Sequence, residues 1–209
     1  MRNSKQLIIL DLDGLLFIRK NKFTAYNQKG ESNNPDTNIK SEYNTFEHKK
    51  HLYVLRPGYD DFIDYCLSNY DVGIFSSITE KNITCIIDNV FWDKKDKLKF
   101  ILHRKYTKLD PDYGKNKNIK SFDTVKYISD IISNPILNEK RIYTMRNTII
   151  VDDTYRKVRF NPRNNICVYQ PSERFNFEPE KYINKTKKSY DNVCHSYSEV
   201  MEYIEKHFS

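Results

Sequence analysis

Apolar residues along the chain fall into short unbroken runs and longer periodic stretches, separated by polar segments. Leu7-Ile8-Ile9-Leu10 is a four-residue aliphatic run that ends abruptly in Asp11-Leu12-Asp13-Gly14. Such a run reads as a strand buried on both faces, as in a parallel sheet covered by helices, and it is far too short to span a membrane. Val72-Gly73-Ile74-Phe75 repeats the pattern and stops at Ser76-Ser77, and Thr148-Ile149-Ile150-Val151 repeats it again and stops at Asp152-Asp153. Ile166-Cys167-Val168-Tyr169 reads as a fourth strand, and Leu98 to Arg104 as a basic one.

Helical spacing fills the intervals. Phe62, Cys66 and Tyr70 recur at helical period behind the turn Arg56-Pro57-Gly58. Ser77-Ile78-Thr79-Glu80 has capping-box spacing ahead of an apolar stripe at Ile83, Ile86, Ile87, Val90 and Phe91. Lys120-Ser121 opens an expected helix burying Phe122, Val125, Ile128, Ile131 and Ile132, with Ser121 as cap. A closing helix carries Val200, Met201, Ile204 and Phe208 behind Ser196 or Ser198. Alternation of strand and helix predicts an α/β fold, a central parallel sheet flanked by helices.

Two stretches interrupt the pattern. Residues 19–50 are polar, with a short hairpin conceivable around Phe23 to Tyr26 and Glu42 to Phe46, and residues 92–119 are rich in Lys and Asp. We read both as inserts in one domain spanning residues 1–209, neither large enough to be a cap domain. The basic segment 181–190 reads as a loop.

Composition changes this picture only modestly. The 209 residues suit a single core, and a formal charge of +7 favours anionic partners such as phosphopeptides or nucleic acid. Cys66, Cys85, Cys167 and Cys194 form no Cys-x-x-Cys pair and read as reduced thiols, and the five histidines show no zinc-ligand spacing. With neither a secretory segment nor a membrane-length apolar run, an intracellular address, nucleus or cytoplasm, is expected, with no membrane partner.

The candidate chemistry sits where the apolar runs end. Side chains alternate along a strand, so Asp11 and Asp13 should project to one side, with Gly14 free to turn away. Ligands of open α/β sheets bind beyond the carboxyl ends of the strands, and hard oxygen ligands there favour magnesium over zinc or copper.

Taken together, Asp11-Leu12-Asp13-Gly14, Arg56-Pro57-Gly58, Ile74-Phe75-Ser76-Ser77, and Ile149 to Asp153 followed by Arg156 and Phe160-Asn161-Pro162 resemble the haloacid dehalogenase (HAD) superfamily. Within it, they look most similar to the RNA polymerase II C-terminal-domain phosphatase-like (NLI-interacting-factor-like, small CTD phosphatase) family, over about residues 6 to 170. The resemblance implies a HAD-like Rossmannoid fold and a Mg2+-dependent phosphoric monoester hydrolase. The expected substrate is a phosphoserine or phosphothreonine protein, the RNA polymerase II tail among the candidates.

The resemblance also implies roles. Asp11 matches the nucleophile that forms an aspartyl-phosphate, and Asp13 the general acid/base. Ser76 matches the hydroxyl that holds a phosphoryl oxygen, with Ser77 as the alternative if the strand ends one residue later. Lys120 matches the cation beside Asp11 and the phosphate, its place at a helix start favouring it over Lys115, Lys117 and Lys126. Asp152 matches the metal ligand, together with Asp11 and the backbone carbonyl of Asp13, and Asp153 is expected to act through water. The sequence departs from the family at Leu15, where Thr or Val is usual, and at Ser76, where Thr is more frequent. The alternatives are a HAD nucleic-acid 3′-end phosphatase, and a catalytically inert HAD-fold module that binds basic or phosphorylated partners.

Overall fold

The computed structural model describes residues 5–21, 44–168 and 193–209. Strands β1 (Leu7–Leu10), β5 (Asp71–Phe75), β6 (Leu98–Leu102), β9 (Thr148–Asp152), β10 (Asn165–Val168) and β11 (Val193–Cys194) form one parallel sheet in the order β11-β10-β9-β1-β5-β6. β1 lies at the centre between β5 and β9, with Leu10 level with Ile74 on one side and Val151 on the other. This register brings three carboxyl ends to one height, so the residues that follow β1 and β5 and end β9 share one crevice.

Both faces of the sheet are covered, as four consecutive apolar residues in β1 require. Ile8 and Leu10 belong to one apolar cluster with Ile149 and Val151, whereas Leu7 and Ile9 belong to the opposite one with Ile150. The first cluster is closed by helices α1 (Tyr59–Asn69), α2 (Glu80–Val90) and α5 (Tyr197–Phe208). The second is closed by the short helices α3 (Ile128–Ile132) and α4 (Tyr155–Val158). Each buried aliphatic side chain contributes about 1.5–3 kcal/mol relative to exposure, so the core is the main source of stability. Gly73, in mid-strand, is explained by β6: a Cβ there would overlap the Phe100 ring.

The first polar stretch is bounded by structure rather than being all loop. β2 (Phe17–Asn21), β4 (His51–Leu55) and β3 (Thr45–His48) form an antiparallel sheet in the order β2-β4-β3. The expected hairpin partner Phe23 to Tyr26 lies outside the described residues, as do Tyr169 and the segment 181–190. Leu98–Leu102, read from sequence as part of a second insert, is an edge strand of the central sheet.

Two helix expectations need correction. The helix expected from Lys120 begins only at Ile128. Ahead of it, β8 (Thr124–Val125) pairs antiparallel with β7 (Lys108–Leu109), and Phe122 is exposed. An apolar 3.6-residue spacing cannot distinguish one helix from a strand followed by a short helix when both bury the same side. The α2 stripe is as expected, but Thr79, not Ser77, is its N-cap, and Ser77 Oγ instead lies 3.3 Å from Thr124 Oγ1. The closing helix is capped by Ser196, whose side chain accepts from the Glu199 N–H.

Candidate active site

The loop after β1 is a tight turn. The Leu16 N–H donates to Leu12 O (2.9 Å) and the Gly14 N–H to Phe17 O (2.7 Å). Gly14 has φ +90°, and a Cβ there would overlap the Asp153 carboxylate, so both the turn and the close approach require glycine. Arg56, buried, staples this turn from the Arg-Pro-Gly segment: its guanidinium donates to Gly14 O (2.9 Å) and its backbone N–H to Leu16 O (3.0 Å). Tyr197 adds a third tie, donating its hydroxyl to Leu15 O (2.6 Å) while its ring stacks on Phe62. Neither Arg56 nor Tyr197 was assigned a role from sequence.

Asp11 is 1% exposed and Asp152 fully buried, and two lysines hold them. Lys126, itself fully buried, places its ammonium 2.5 Å from Asp152 Oδ2 and 3.1 Å from Asp11 Oδ1. Lys157 lies 3.1 Å from Asp11 Oδ2, 3.7 Å from Asp152 Oδ1 and 3.6 Å from Asp153 Oδ1. Burial alone would push the Asp11 pKa up, but the charges of Lys126 and Lys157, with a backbone amide and the Ser76 hydroxyl, outweigh it and hold the carboxyl well below its usual range. Asp11 is therefore an anion at any physiological pH. Lys157 responds in the opposite sense: burial opposes its charge, but Asp11, Asp152 and Asp153 keep it firmly protonated.

Asp13 differs from Asp11. Burial raises its pKa; Arg19, 3.3 Å away, works against this, and the nearby Asp11 charge adds to it. Two carboxyls separated by one residue are thus driven apart, one held ionised and the other biased toward the proton, the pattern expected of a nucleophile and an acid/base partner. Asp153 is pushed up to about 7, by burial and by the adjacent Asp152 and Asp11 charges against the pull of Lys157.

Ser76 is buried at the end of β5, where its hydroxyl helps to lower the Asp11 pKa, so β5 delivers it to the cluster. Ser77 is half-buried beside Thr124. Lys120 is not brought in: it is exposed, its ammonium 5.6 Å from the centre of the Phe122 ring. Lys126 occupies the place that sequence reasoning gave to Lys120, because the chain between them turns away and forms β8 instead of one helix.

Asn161 of the Phe-Asn-Pro motif fixes that lysine. Its side chain donates to Lys126 O (2.8 Å) and accepts from the Ile128 N–H (2.8 Å), while the Lys126 N–H donates to Lys157 O (2.8 Å). The motif thus holds the backbone of Lys126, which in turn is tied to that of Lys157. Lys157 went unnoticed in the sequence, although its place four residues after Asp153, the pair-forming spacing of a helix, was a usable signal.

Asp11, Asp152 and Asp153 each present an oxygen within 4.8 Å of the others. Asp153 Oδ1 is buried without a hydrogen bond, and Asp11 Oδ1 meets Lys126 at ion-pair distance but not in hydrogen-bond geometry. Buried carboxylate oxygens with unused lone pairs, clustered at one point, fit a hard divalent cation.

The profile of the NLI interacting factor-like phosphatases matches residues 6–201. The chain belongs to that family. The chain is 25% identical over 169 residues to an uncharacterized FCP1 homology domain-containing protein of Schizosaccharomyces pombe, the match covering 79% of the chain but only 61% of that relative, less than two thirds of its length. It also resembles the fission yeast RNA polymerase II CTD phosphatase Fcp1 solved with beryllium fluoride, with a TM-score of 0.53 at 15% identity, covering 98% of the chain and 51% of Fcp1. A HAD-superfamily hydrolase from Ehrlichia chaffeensis gives a TM-score of 0.51 at 13% identity over 98% and 99% of the two chains. These likenesses establish a HAD-like α/β fold for the chain. Among its described residues no helix is long and apolar enough to cross a membrane.

Proposed function

We propose that this protein is a magnesium-dependent phosphoserine or phosphothreonine protein phosphatase working through an aspartyl-phosphate on Asp11, with the RNA polymerase II tail as a candidate substrate and the nucleus or cytoplasm as its place of action. The observation that carries the reading is the pairing of a buried carboxylate kept ionised by Lys126 and Lys157 with a second carboxyl, Asp13, biased toward its protonated form.

In the first step an Asp11 oxygen attacks phosphorus and the ester P–O bond breaks, while Asp13 gives its proton to the departing alkoxide. In the second, water attacks the same phosphorus, Asp13 takes a proton from it, and the bond to Asp11 breaks to release phosphate. The Ser76 hydroxyl would hold a phosphoryl oxygen, and Lys126 would offset charge on Asp11 and the phosphate in the role expected of Lys120. Asp11, Asp152 and the Asp13 carbonyl would hold the Mg2+, with Asp153 contributing through water. When bound there, the ion would supply positive charge that offsets the charge of these carboxylates and of the phosphate.

The test is hydrolysis of p-nitrophenyl phosphate, which should require magnesium and vanish in Asp11→Asn; turnover surviving that change overturns the reading. A second reading, a nucleic-acid 3′-end phosphatase, is favoured only by the charge of +7. Faster turnover of a 3′-phosphorylated oligonucleotide than of a phosphorylated heptad peptide would select it.

A further inference from the structure

Residues 104–125 leave the carboxyl end of β6 and return to the active site. The Arg104 N–H donates to Ile78 O (2.8 Å), Thr124 meets Ser77, and Lys126, two residues beyond Thr124, lies on Asp11. Both ends of this excursion therefore meet the crevice that holds Asp11. It contains six cations, Arg104, Lys105, Lys108, Lys115, Lys117 and Lys120, and three carboxylates, Asp110, Asp112 and Asp123.

The carboxylates do not balance the surface, because all three are bound by arginines of the α4 segment. Asp110, 2% exposed, pairs with Arg156 and Arg159 (2.7 Å each), Asp112 with Arg159 (2.7 Å), and Asp123 with Arg156 (3.2 Å). Lys108 is taken by Asp130 (2.7 Å). Lys105, Lys115, Lys117 and Lys120 are exposed and, among the described residues, pair with no carboxylate. Tyr113 (55% exposed) and Phe122 (58%) lie among them. Exposed aromatic rings among unbalanced ammonium groups form a surface that gains by being covered with an anionic partner.

We propose that this excursion is a docking surface for the rest of the substrate chain, an extended peptide bearing further negative charge, acidic residues or additional phosphates, beside the phosphoresidue that enters the crevice. Its occupant is set by charge complementarity: four uncompensated lysines on a segment whose two ends meet a site that itself takes a phosphate monoester. The peptide identity rests on the phosphatase reading above. Charge complementarity of this kind acts on encounter rate and choice of partner, and it weakens with salt as the screening length falls from about 10 Å at 0.1 M to about 3 Å at 1 M.

The experiment uses the full chain carrying Asp11→Asn and reads fluorescence anisotropy of three labelled probes: a phosphoserine peptide with acidic flanks, the same peptide with neutral flanks, and a single-stranded oligonucleotide of matched charge. The acidic peptide should bind about tenfold tighter than the neutral one, and adding Lys105→Ser, Lys115→Ser and Lys117→Ser should abolish that advantage, as should high salt. Equal affinity for the two peptides, no effect of the triple change, or tighter binding of the oligonucleotide overturns the proposal. Wild-type turnover of p-nitrophenyl phosphate, followed in parallel, separates the two ideas: its absence removes the phosphatase reading of Asp11, while the anisotropy comparison alone decides the docking surface.

Discussion

Replacing Lys126 by methionine keeps the length of a fully buried side chain but removes its charge. In the wild type its ammonium is 2.5 Å from Asp152 Oδ2 and 3.1 Å from Asp11 Oδ1. At an effective dielectric near 20 these two attractions are worth roughly 7 and 5 kcal/mol. Taking the ammonium out of water offsets much of that sum, and breaking a buried pair usually costs about 3–5 kcal/mol. Lys157 remains 3.1 Å from Asp11 Oδ2, so we expect about 3 kcal/mol near pH 7. The assay is urea unfolding of both proteins from pH 8 down to about pH 2, with and without magnesium.

The sign follows from the Asp11 pKa, which is depressed in the wild type. That group stabilises the fold above its unfolded pKa of about 3.9, and the contribution is lost as pH falls through the folded value. In Lys126→Met the depression shrinks, so the stability gap should hold from pH 8 to about 4 and narrow as pH falls below about 4. Magnesium should narrow it too, by supplying charge to the same carboxylates. Equal stability at pH 7, or a gap unmoved by both pH and magnesium, would refute the view that Lys126 is the counter-charge of this cluster.

Gly14→Ala should destabilise by about 1–3 kcal/mol in thermal unfolding and weaken magnesium binding by calorimetry, because φ +90° strains any side chain and its Cβ displaces Asp153. Asp153→Asn should stabilise the chelator-treated protein at pH 8 by on the order of a few kcal/mol and have little effect at pH 4, measured by urea midpoints; a folded pKa of about 7, above the unfolded value, means that ionisation destabilises the fold as pH rises through 7. Asp110→Asn, which leaves Arg156 and Arg159 partly unpaired, should cost about 3 kcal/mol at pH 7. The Asp110 pKa is held low chiefly by its Arg159 hydrogen bond, so this loss should fade as pH falls below about 4.

The order of elements and the acids of the site were legible in one dimension, because a strand buried on both faces must be an unbroken apolar run and its end is marked where polar residues begin. Asp11, Ser76 and Asp152 could be found this way, since each lies at or just after a run's last apolar residue and parallel register then makes the ends coincide. The capping box at Ser77 and the helix from Lys120 failed for one shared reason. Local spacing is compatible with several conformations, and a distant strand pairing, β7 with β8, chose among them.

By itself, then, the chain's pattern of apolar runs and periodic stretches determined the layered α/β architecture and the carboxylates at its crevice, because burial and side-chain alternation are local consequences of residue type. Which cations meet those carboxylates was decided only by the tertiary structure. Lys126 and Lys157 stand 26 and 5 residues from Asp152, and the Asn161 side chain and the backbone bond between the two lysines hold them beside it. An ammonium has no period to betray it: its charge acts through space at a few ångströms, and only packing sets those distances.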